Sequence, residues 1–216
     1  MRLFIYGNGS FGKEAFDIAK RVNDKDSIYG AIYFINDFEY DNISIFSFDE
    51  IISRCWSNES HEVVIAMGEV NQRVKILTKL KKFNFKLGRL IDPSSIISDT
   101  AVINNGCIIC PFVFIGPDVC IGENTLVNVK SIIGHDIKIG SNTVVSAMVN
   151  IGGNSVIGDE CYLGMSSVIK EKTKIEFKCI LSMGAVLYND LPEKVIAIGN
   201  PARIIRKVEE EHNVFK

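Results

Sequence analysis

The sequence predicts two domains of different fold class. Residues 1–91 are expected to form an α/β domain, and residues 92–216 an all-β parallel β-helix with a C-terminal tail. In the first part, apolar runs alternate between the strand and the helix period, which is typical of a parallel sheet covered by helices. In the second part, an aliphatic residue recurs at every sixth position. A chain of 216 residues is long enough for both.

The first domain begins with a strand, a glycine loop and a helix. Residues 3–6 are apolar, and residues 13–21 have apolar positions at helical spacing. Between them lies a G-x-G-x-x-G motif made of Gly7, Asn8, Gly9, Ser10, Phe11 and Gly12. Such a loop places bare backbone at a helix N-terminus, where a phosphate is bound favourably.

The remaining elements of this domain continue the alternation. A second strand is predicted over 27–35, ending at Asn36 and Asp37, and Ser47-x-x-Glu50 has the pattern of a capping box before a short helix. A third strand follows over 62–67. Asn71 is expected to cap a helix over 71–82, and a last strand is expected over 85–91 before Asp92-Pro93. The order βαβαβ predicts a small parallel sheet.

Three interpretations of the glycine loop stay open on its residues alone. A dinucleotide site would require an acidic residue about 20 positions on, and Asp37 lies further away. A tight turn that serves packing only is the second interpretation. The third is a site for the nucleotide of a nucleotide-linked sugar.

The second half has a period of six residues. Stepping from Ile115 to Leu187, every sixth residue is aliphatic, and seven of these are followed by Gly. The fourth residue after each is small or β-branched, with Ile137 as the bulkier exception. Three such hexads close one coil of a triangular prism. We expect Ile96, Val102 and Ile108 to point inward, so that the phase slips by one residue near Ile115.

This period also predicts what the repeated positions do. We expect the glycines to supply unusual backbone dihedrals at the corners. Cys161 and Cys179 lie eighteen residues apart, so they should stack on adjacent coils in a packing role. Cys107 and Cys110 have the C-x2-C spacing of a zinc site, but a second such pair is missing, and we expect no metal.

His135 is the best candidate for a chemical role. It follows Ile133-Gly134, at a corner where a side chain can point outward, although a corner histidine can also merely face solvent or a neighbouring subunit. His61 and His212 are expected to be solvated. An unperturbed imidazole has a pKa of about 6.5 and therefore accepts protons at neutral pH. Asp136 would orient the ring and stabilise its charged form, provided that the corner folds it back.

The hexad pattern [Ile/Leu/Val]-Gly-x-x-[small]-x resembles the hexapeptide-repeat acyltransferases, which are left-handed β-helices. The resemblance covers residues 92–206 and includes the ending Ile198-Gly199-Asn200-Pro201-Ala202-Arg203. With the Rossmann-like first domain, nearly the whole chain resembles the bacillosamine-type N-acetyltransferases and sialic-acid O-acetyltransferases. This resemblance implies acetyl-CoA as co-substrate, a nucleotide-linked amino sugar as acceptor, and a homotrimer with sites between subunits.

The resemblance also implies roles for individual residues. The nucleotide would be held by Gly7, Asn8, Gly9, Ser10, Gly12, Asn36, Asp37 and Gly68, with Asn36 standing where the group has an acidic residue. Asn128 would bind the sugar. His135 would be the general base, with Gly152 and Gly153 supplying the oxyanion donor for acetyl-CoA. The CoA path would include Gly164, Gly184, Ala185 and Arg203, with Lys172, Lys174, Arg206 and Lys207 near its phosphates.

The expected function is therefore N-acetylation of the 4-amino group of a UDP- or dTDP-linked 4-amino-4,6-dideoxy sugar, by direct transfer. Two alternatives stay open: a sugar O-acetyltransferase, and a non-catalytic protein that binds a sugar nucleotide or scaffolds an assembly. A carbonic-anhydrase-like prism would need three metal-binding histidines, and we exclude it because only His135 lies in the coils. The net charge of −2 gives no basic stripe for nucleic acid. With no apolar run of about 18 residues and no secretory signal, we expect a cytoplasmic protein without membrane insertion.

Overall fold

The computed structural model describes residues 1–36, 45–53 and 61–209. Its first domain has one sheet of four strands, in the order β3-β2-β1-β4 and all parallel. Its elements, in chain order, are β1 (Arg2–Tyr6), α1 (Ser10–Asp26), β2 (Ala31–Asn36), β3 (Ile45–Ser47), α2 (Phe48–Ser53), β4 (His61–Ile65) and α3 (Val70–Lys82). Strands β2 and β3 lie on one side of β1, and β4 lies on the other side. Open α/β sheets bind ligands in the crevice at such a reversal of strand order, at the carboxyl ends of the strands.

Local sequence signals explain most of these elements. The capping box is present. The Ser47 N–H donates to Glu50 Oε2 at a distance of 2.8 Å, and the Glu50 N–H donates to Ser47 Oγ at 3.2 Å. Asn71 does not cap α3: the helix begins at Val70, and its N-cap residue is Glu69. The strand expected over 85–91 is largely absent, since Leu87 forms only a single bridge with Val63.

The second domain is a three-faced prism of parallel strands. Face A contains β5 (Leu90–Ile91), β8 (Ile108–Ile109), β11 (Leu126–Val127), β14 (Val144–Val145), β17 (Tyr162–Leu163), β20 (Ile180–Leu181) and β22 (Val195–Ile198), and the antiparallel β23 (Arg203–Lys207) closes it. Face B contains β6 (Ile96–Ile97), β9 (Phe114–Ile115), β12 (Ile132–Ile133), β15 (Asn150–Ile151), β18 (Val168–Ile169) and β21 (Val186–Leu187). Face C contains β7 (Val102–Ile103), β10 (Cys120–Ile121), β13 (Lys138–Ile139), β16 (Val156–Ile157) and β19 (Lys174–Ile175). The first rung of face A thus comes from residues expected to belong to the α/β domain.

The inward position keeps one phase throughout the prism. Ile97 pairs with Ile115 and Ile103 with Ile121, so the second residue of each two-residue strand points to the axis. Ile96 and Val102 are exposed, whereas Ile103 and Ile109 are buried. The expected phase slip is therefore wrong. Both residues of these early strands are aliphatic, so the sequence could not distinguish the inward one.

The repeated glycines serve close approach rather than unusual dihedrals. A Cβ on Gly116 would lie 2.8 Å from Gly134 O, and one on Gly140 would lie 2.5 Å from Asp159 N, because the next coil passes directly over them. The left-handed backbone occurs two residues later in each hexad, with φ of +57° at Asp118 and +55° at Asp136. The expectation that these glycines supply unusual backbone dihedrals is therefore wrong.

Small residues at the corners satisfy backbone carbonyls of the next coil. Thr125 Oγ1 donates to Gly140 O over 2.7 Å, and Ser131 Oγ to Ser146 O over 2.8 Å. Cys161 and Cys179 are both fully buried one coil apart, as expected from their spacing, and Cys161 Sγ contacts Glu176 O at 3.1 Å. Small polar side chains are thus suited to these positions because each one pairs with an otherwise buried acceptor.

The α/β domain covers face A of the prism. Outward residues Ile108, Leu126 and Val144 are buried in one cluster with Leu3 and Ile18 of the first domain. The turns after face A strands form the A–B edge, those after face B the B–C edge, and those after face C the C–A edge. Helix α1 packs beside the A–B edge and α3 beside the C–A edge. Within the described ranges, no helix has the length and apolar character needed to cross a membrane.

Candidate active site

His135 and Asp136 form a contact on the B–C edge. His135 Nδ1 lies 2.7 Å from Asp136 Oδ2, and both side chains are more than half exposed. The positive φ of Asp136 turns its side chain back toward the preceding residue. The geometric condition for the pairing is therefore met, and with Nδ1–H donated to the carboxylate, Nε2 is left as the acceptor.

Gly153 lies directly under the imidazole, one coil further along the same edge. A Cβ on Gly153 would be 2.6 Å from His135 Nε2 and 2.7 Å from Cε1. The Gly152 N–H donates to Ile169 O over 2.9 Å as part of the sheet ladder, so its assignment as an oxyanion donor is wrong. Among the described residues the Gly153 N–H has no backbone acceptor. Of this pair, Gly153 is therefore the residue whose N–H the described sheet ladder does not occupy.

Asn128 lies on a different edge from His135. It follows β11 on the A–B edge, and its side-chain oxygen accepts the Val129 N–H over 2.7 Å. Asn128 lines a cavity of about 320 Å³ between this edge and α1, together with Glu14, Asp17 and Arg21. One strand of face B separates Asn128 from His135 along the chain. The structure therefore does not bring these two residues together within one chain.

The residues predicted to bind CoA are divided among several parts of the prism. Gly164 and Gly184 follow β17 and β20, and a Cβ on Gly184 would meet no atom within 4 Å, so its surface is open. Ala185 is fully buried in the prism core, which contradicts its assignment as a contact residue. Arg203 is exposed at the start of β23. Lys172 stacks above Asp136 and Asn154 on the B–C edge instead.

The glycine loop brings bare backbone close to the N-terminus of α1. Gly7 has a φ of +111°, and a Cβ on Gly12 would lie 2.1 Å from Gly7 O, so only glycine fits at either position. Gly9 and Ser10 are exposed at the start of α1, whose N-terminus has no side-chain cap. The first N–H groups of such a helix are available to an anion.

Asn36 lies beside this loop. Its Nδ2 donates to Asn8 Oδ1 over 2.7 Å, which links the end of β2 to the glycine loop. Gly68 is half-buried in the loop between β4 and α3, on the other side of β1. The structure thus gathers these predicted nucleotide residues at one end of the sheet. Asp37 lies outside the described residues.

The other residues singled out by chemistry have structural roles. His61 is half-buried and packs edge-on against Phe4 and Phe85, so its expected solvation is wrong, and His212 lies outside the described residues. Burial raises the pKa of the Cys107 thiol to about 11 and that of Cys110 to about 12. Cys107 faces the prism core, whereas Cys110 faces α1.

Three charged residues at the domain interface were missed in the sequence analysis. Arg21 Nε lies 2.7 Å from Asp92 Oδ2, and the Asp92 side chain is 1% exposed. Arg73 is fully buried between α3 and the C–A edge. Its spacing from Val70, Leu77 and Leu80 puts it on the apolar face of the helix, and that spacing was the available signal.

Two family models match the chain. The model of the GMPPB C-terminal domain matches residues 91–203, which is more than half of the chain. The model of the PglD N-terminal domain matches residues 2–80.

Several solved structures share the fold along nearly the whole chain. The acetyltransferase domain of PglB from Neisseria gonorrhoeae is 23% identical with a TM-score of 0.86, covering 94% of this chain and 99% of that one. It has also been solved in complex with acetyl coenzyme A. A variant of GDP-perosamine N-acetyltransferase from Caulobacter crescentus, in complex with CoA and GDP-perosamine, is 21% identical with a TM-score of 0.87, covering 96% and 98%. WeeI from Acinetobacter baumannii is 24% identical with a TM-score of 0.77, covering 95% and 100%. The fold is thus a Rossmann-like domain joined to a left-handed β-helix.

Proposed function

The chain belongs to the GMPPB C-terminal domain family, and from that premise we propose that it is an acetyl-CoA-dependent sugar N-acetyltransferase. Its acceptor is the 4-amino group of a UDP- or dTDP-linked 4-amino-4,6-dideoxy sugar. The observation that supports this most is the contact of His135 with Asp136 above Gly153. The similar structures that hold acetyl coenzyme A, or CoA with GDP-perosamine, support the same class of reaction.

His135 Nε2 acts as the general base. An amine attacks a thioester carbonyl with its lone pair, so it must lose a proton as the new C–N bond forms. Asp136 accepts the Nδ1–H at 2.7 Å, which holds the tautomer with a free Nε2 and stabilises the imidazolium that follows. His135 thus receives the proton at the only ring nitrogen that Asp136 leaves unoccupied.

The Gly153 N–H stabilises the oxyanion of the tetrahedral intermediate. Preorganised backbone donors of this kind contribute about 3–4 kcal/mol to transition-state stabilisation. When the intermediate collapses, the C–S bond breaks and the CoA thiolate takes the proton from the imidazolium. The acetyl group is transferred directly, and the proton removed from the amine ends on the thiol group of CoA.

The separation of the candidate residues supports a site shared between chains. His135 and Gly153 lie on the B–C edge, whereas Asn128, Gly164 and Gly184 lie on the A–B edge. Face B lies between these edges and exposes apolar outward side chains, namely Ile96, Phe114, Ile132 and Val168. A homotrimer that buries face B around a threefold axis would bring the A–B edge of one chain to the B–C edge of the next.

The reaction itself is the test of this proposal. We expect thiol release from acetyl-CoA with a UDP- or dTDP-linked member of a panel of UDP-, dTDP- and GDP-linked 4-amino-4,6-dideoxy sugars that also includes free sialic acid. We also expect a loss of at least about 10³-fold in kcat for His135→Ala. Acetyl-CoA titration calorimetry on both proteins checks that the variant keeps its co-substrate site. Turnover only with sialic acid would replace the proposal by O-acetylation. Binding of a sugar nucleotide without any turnover would indicate a non-catalytic role.

A further inference from the structure

Arg73 is a fully buried cation whose described hydrogen bonds all go to uncharged oxygen atoms. Nη1 donates to Ile65 O at a distance of 2.8 Å and to Met67 O at 2.9 Å. Nε donates to Asn124 O at 3.1 Å, and Nη2 donates to Asn124 Oδ1 at 2.8 Å. Burial lowers the pKa of Arg73 to about 10, so it stays charged at neutral pH. A buried guanidinium is tolerated only where its donors are satisfied.

On one side, Arg73 fixes the loop between β4 and α3. The carbonyls of Ile65 and Met67 bracket Ala66, whose N–H donates to Tyr6 O over 2.9 Å. Ala66 O and Met67 Cε lie 2.9 and 3.0 Å from the position of a Cβ on Gly7. The loop that Arg73 holds is therefore in direct contact with the glycine loop.

On the other side, Arg73 is attached to a rigid point of the prism. Asn124 is fully buried on the C–A edge with a φ of +56°, and its Nδ2 donates to Asn142 Oδ1 over 2.9 Å. The side chain and the backbone N–H of Asn124 are thus each bonded to a neighbouring coil as well. One guanidinium group joins the wall of the glycine loop to the coils that carry the acetyl-transfer residues.

We propose that Arg73 is a positioning residue for the sugar-nucleotide site, which it sets in place by holding the β4–α3 loop against Gly7. Only the kinetic effect expected from this role depends on the proposed function; the structural effect on the loop does not. If the loop moves when Arg73 is changed, the nucleotide loses contacts, whereas the acetyl-CoA site on the prism edges does not.

The same interface offers a matched control. Lys81 Nζ forms an ion pair with Glu123 Oε2, also between α3 and the C–A edge, but both side chains are solvent-accessible and Lys81 lies at the end of α3 remote from the β4–α3 loop. Lys81→Met removes a domain-spanning cation without removing a hold on that loop. Asn124→Gly keeps the backbone carbonyl and the left-handed conformation but deletes the Oδ1 acceptor.

The test compares Arg73→Met, Arg73→Lys, Asn124→Gly and Lys81→Met in the full chain. We expect the KM for the sugar nucleotide to rise about tenfold or more in Arg73→Met and less in the other two interface variants, while the KM for acetyl-CoA changes less than about twofold. Lys81→Met should match the wild type. If Arg73→Met does not fold, Arg73→Lys and Asn124→Gly give the same comparison.

Hydrogen exchange of residues 65–69 is the second measurement. It reads the loop in the free protein, so it gives a result even if the wild type acetylates none of the sugars. Faster exchange in the Arg73 and Asn124 variants, with the prism coils unchanged, supports the positioning role. Unchanged loop exchange overturns it, as does an equal rise of both KM values, since that would indicate a general structural role.

Discussion

Asp136 can fold back onto His135 because it occupies the left-handed position of its hexad. In each hexad from Phe112 to Lys178 the residue at this position has a φ between +55° and +60°, whatever its side chain. Ladder hydrogen bonds on both sides of each corner hold the conformation, which would otherwise cost free energy. The repeat thus provides the same left-handed backbone at each of these corners, and at Asp136 the side chain contacts the preceding residue.

Replacement of Asp136 by Asn tests the orienting role. The amide removes the acceptor charge and can hold the ring in the wrong tautomer, so we expect kcat to fall by about 10²–10³-fold with little change in the KM for acetyl-CoA. Asp118→Asn is the matched control, because Asp118 has the same conformation one coil earlier on the same edge. Steady-state kinetics on both variants are the measurement. Equal activities of the two variants would contradict the role of Asp136.

Gly153→Ala tests the space under the imidazole. The new methyl group would lie 2.6 Å from Nε2, and the imidazole can swing away because its contacts are exposed. We therefore expect the fold to survive and kcat to fall by about 10²-fold. Thermal unfolding and kinetics are measured together. Gly30→Ala, where the nearest atom is 3.9 Å away, should leave both unchanged. Full activity in Gly153→Ala would exclude the proposed ring position.

At the scale of the elements, the sequence was most informative where a pattern repeats. The hexads predicted the prism, its three faces and the stacking of Cys161 on Cys179, and Ser47 and Glu50 predicted the start of α2. The pair Ile96-Ile97 could not show its inward member, because each side of an early strand is apolar. The burial of Ala185 follows from the same period, because Ala185 occupies the small-residue position that Cys161 and Cys179 also occupy.

The contact of α1 with the first coil predicts a pH-dependent stability. Burial raises the pKa of Asp92, but hydrogen bonds from Ser94 and Arg21 outweigh it, so the net pKa lies below its ordinary value. A carboxyl group with a lowered pKa stabilises the fold above the pKa of its unfolded state, and this stabilisation is lost as the pH falls through the folded pKa. The ion pair with Arg21 is part of it.

We therefore expect Arg21→Met to lower the free energy of unfolding by about 2 kcal/mol at pH 7. The difference from the wild type should begin to shrink as the pH falls below about 4, the ordinary pKa of an aspartate, and should shrink further as the pH falls through the lowered pKa of Asp92 in the folded protein. Urea unfolding from pH 3 to 7 measures it, and Lys174→Met, which breaks an exposed pair with Glu176, should have almost no effect. A difference that is constant over this range would argue against the Asp92 ion pair.

At the scale of the whole molecule, the three faces of the prism are unequal. Face A is buried by the α/β domain, face B exposes Ile96, Phe114 and Ile132, and face C includes charged residues such as Lys138. The residues predicted for one reaction are divided between the two edges of face B. This division follows from the period of six, because Asn128 and His135 belong to consecutive hexads, and the proposed chemistry therefore calls for a site shared between chains.

Mixing two inactive variants tests the shared site. His135→Ala removes the base from the B–C edge, and Asn128→Ala removes the sugar contact from the A–B edge of the same chain. If each site takes one edge from each of two chains, random mixed trimers should recover about a quarter of wild-type activity. Activity after refolding the mixture, with light scattering for the oligomeric mass, is the measurement. If each chain contains a whole site, the mixture should show no recovery.

Stacked residues such as Asn124 and Asn142 lie eighteen residues apart, so the position of each residue on the prism depends on the number of residues before it. Loss or gain of eighteen residues would shorten or lengthen it by one rung, about 4.8 Å, and leave each later residue on its own face. Loss or gain of six would rotate everything downstream by a third of a turn and move the catalytic corner under the α/β domain. Length differences in this domain are therefore expected in multiples of eighteen residues. Each such step also changes the distance between the base and the far end of the prism.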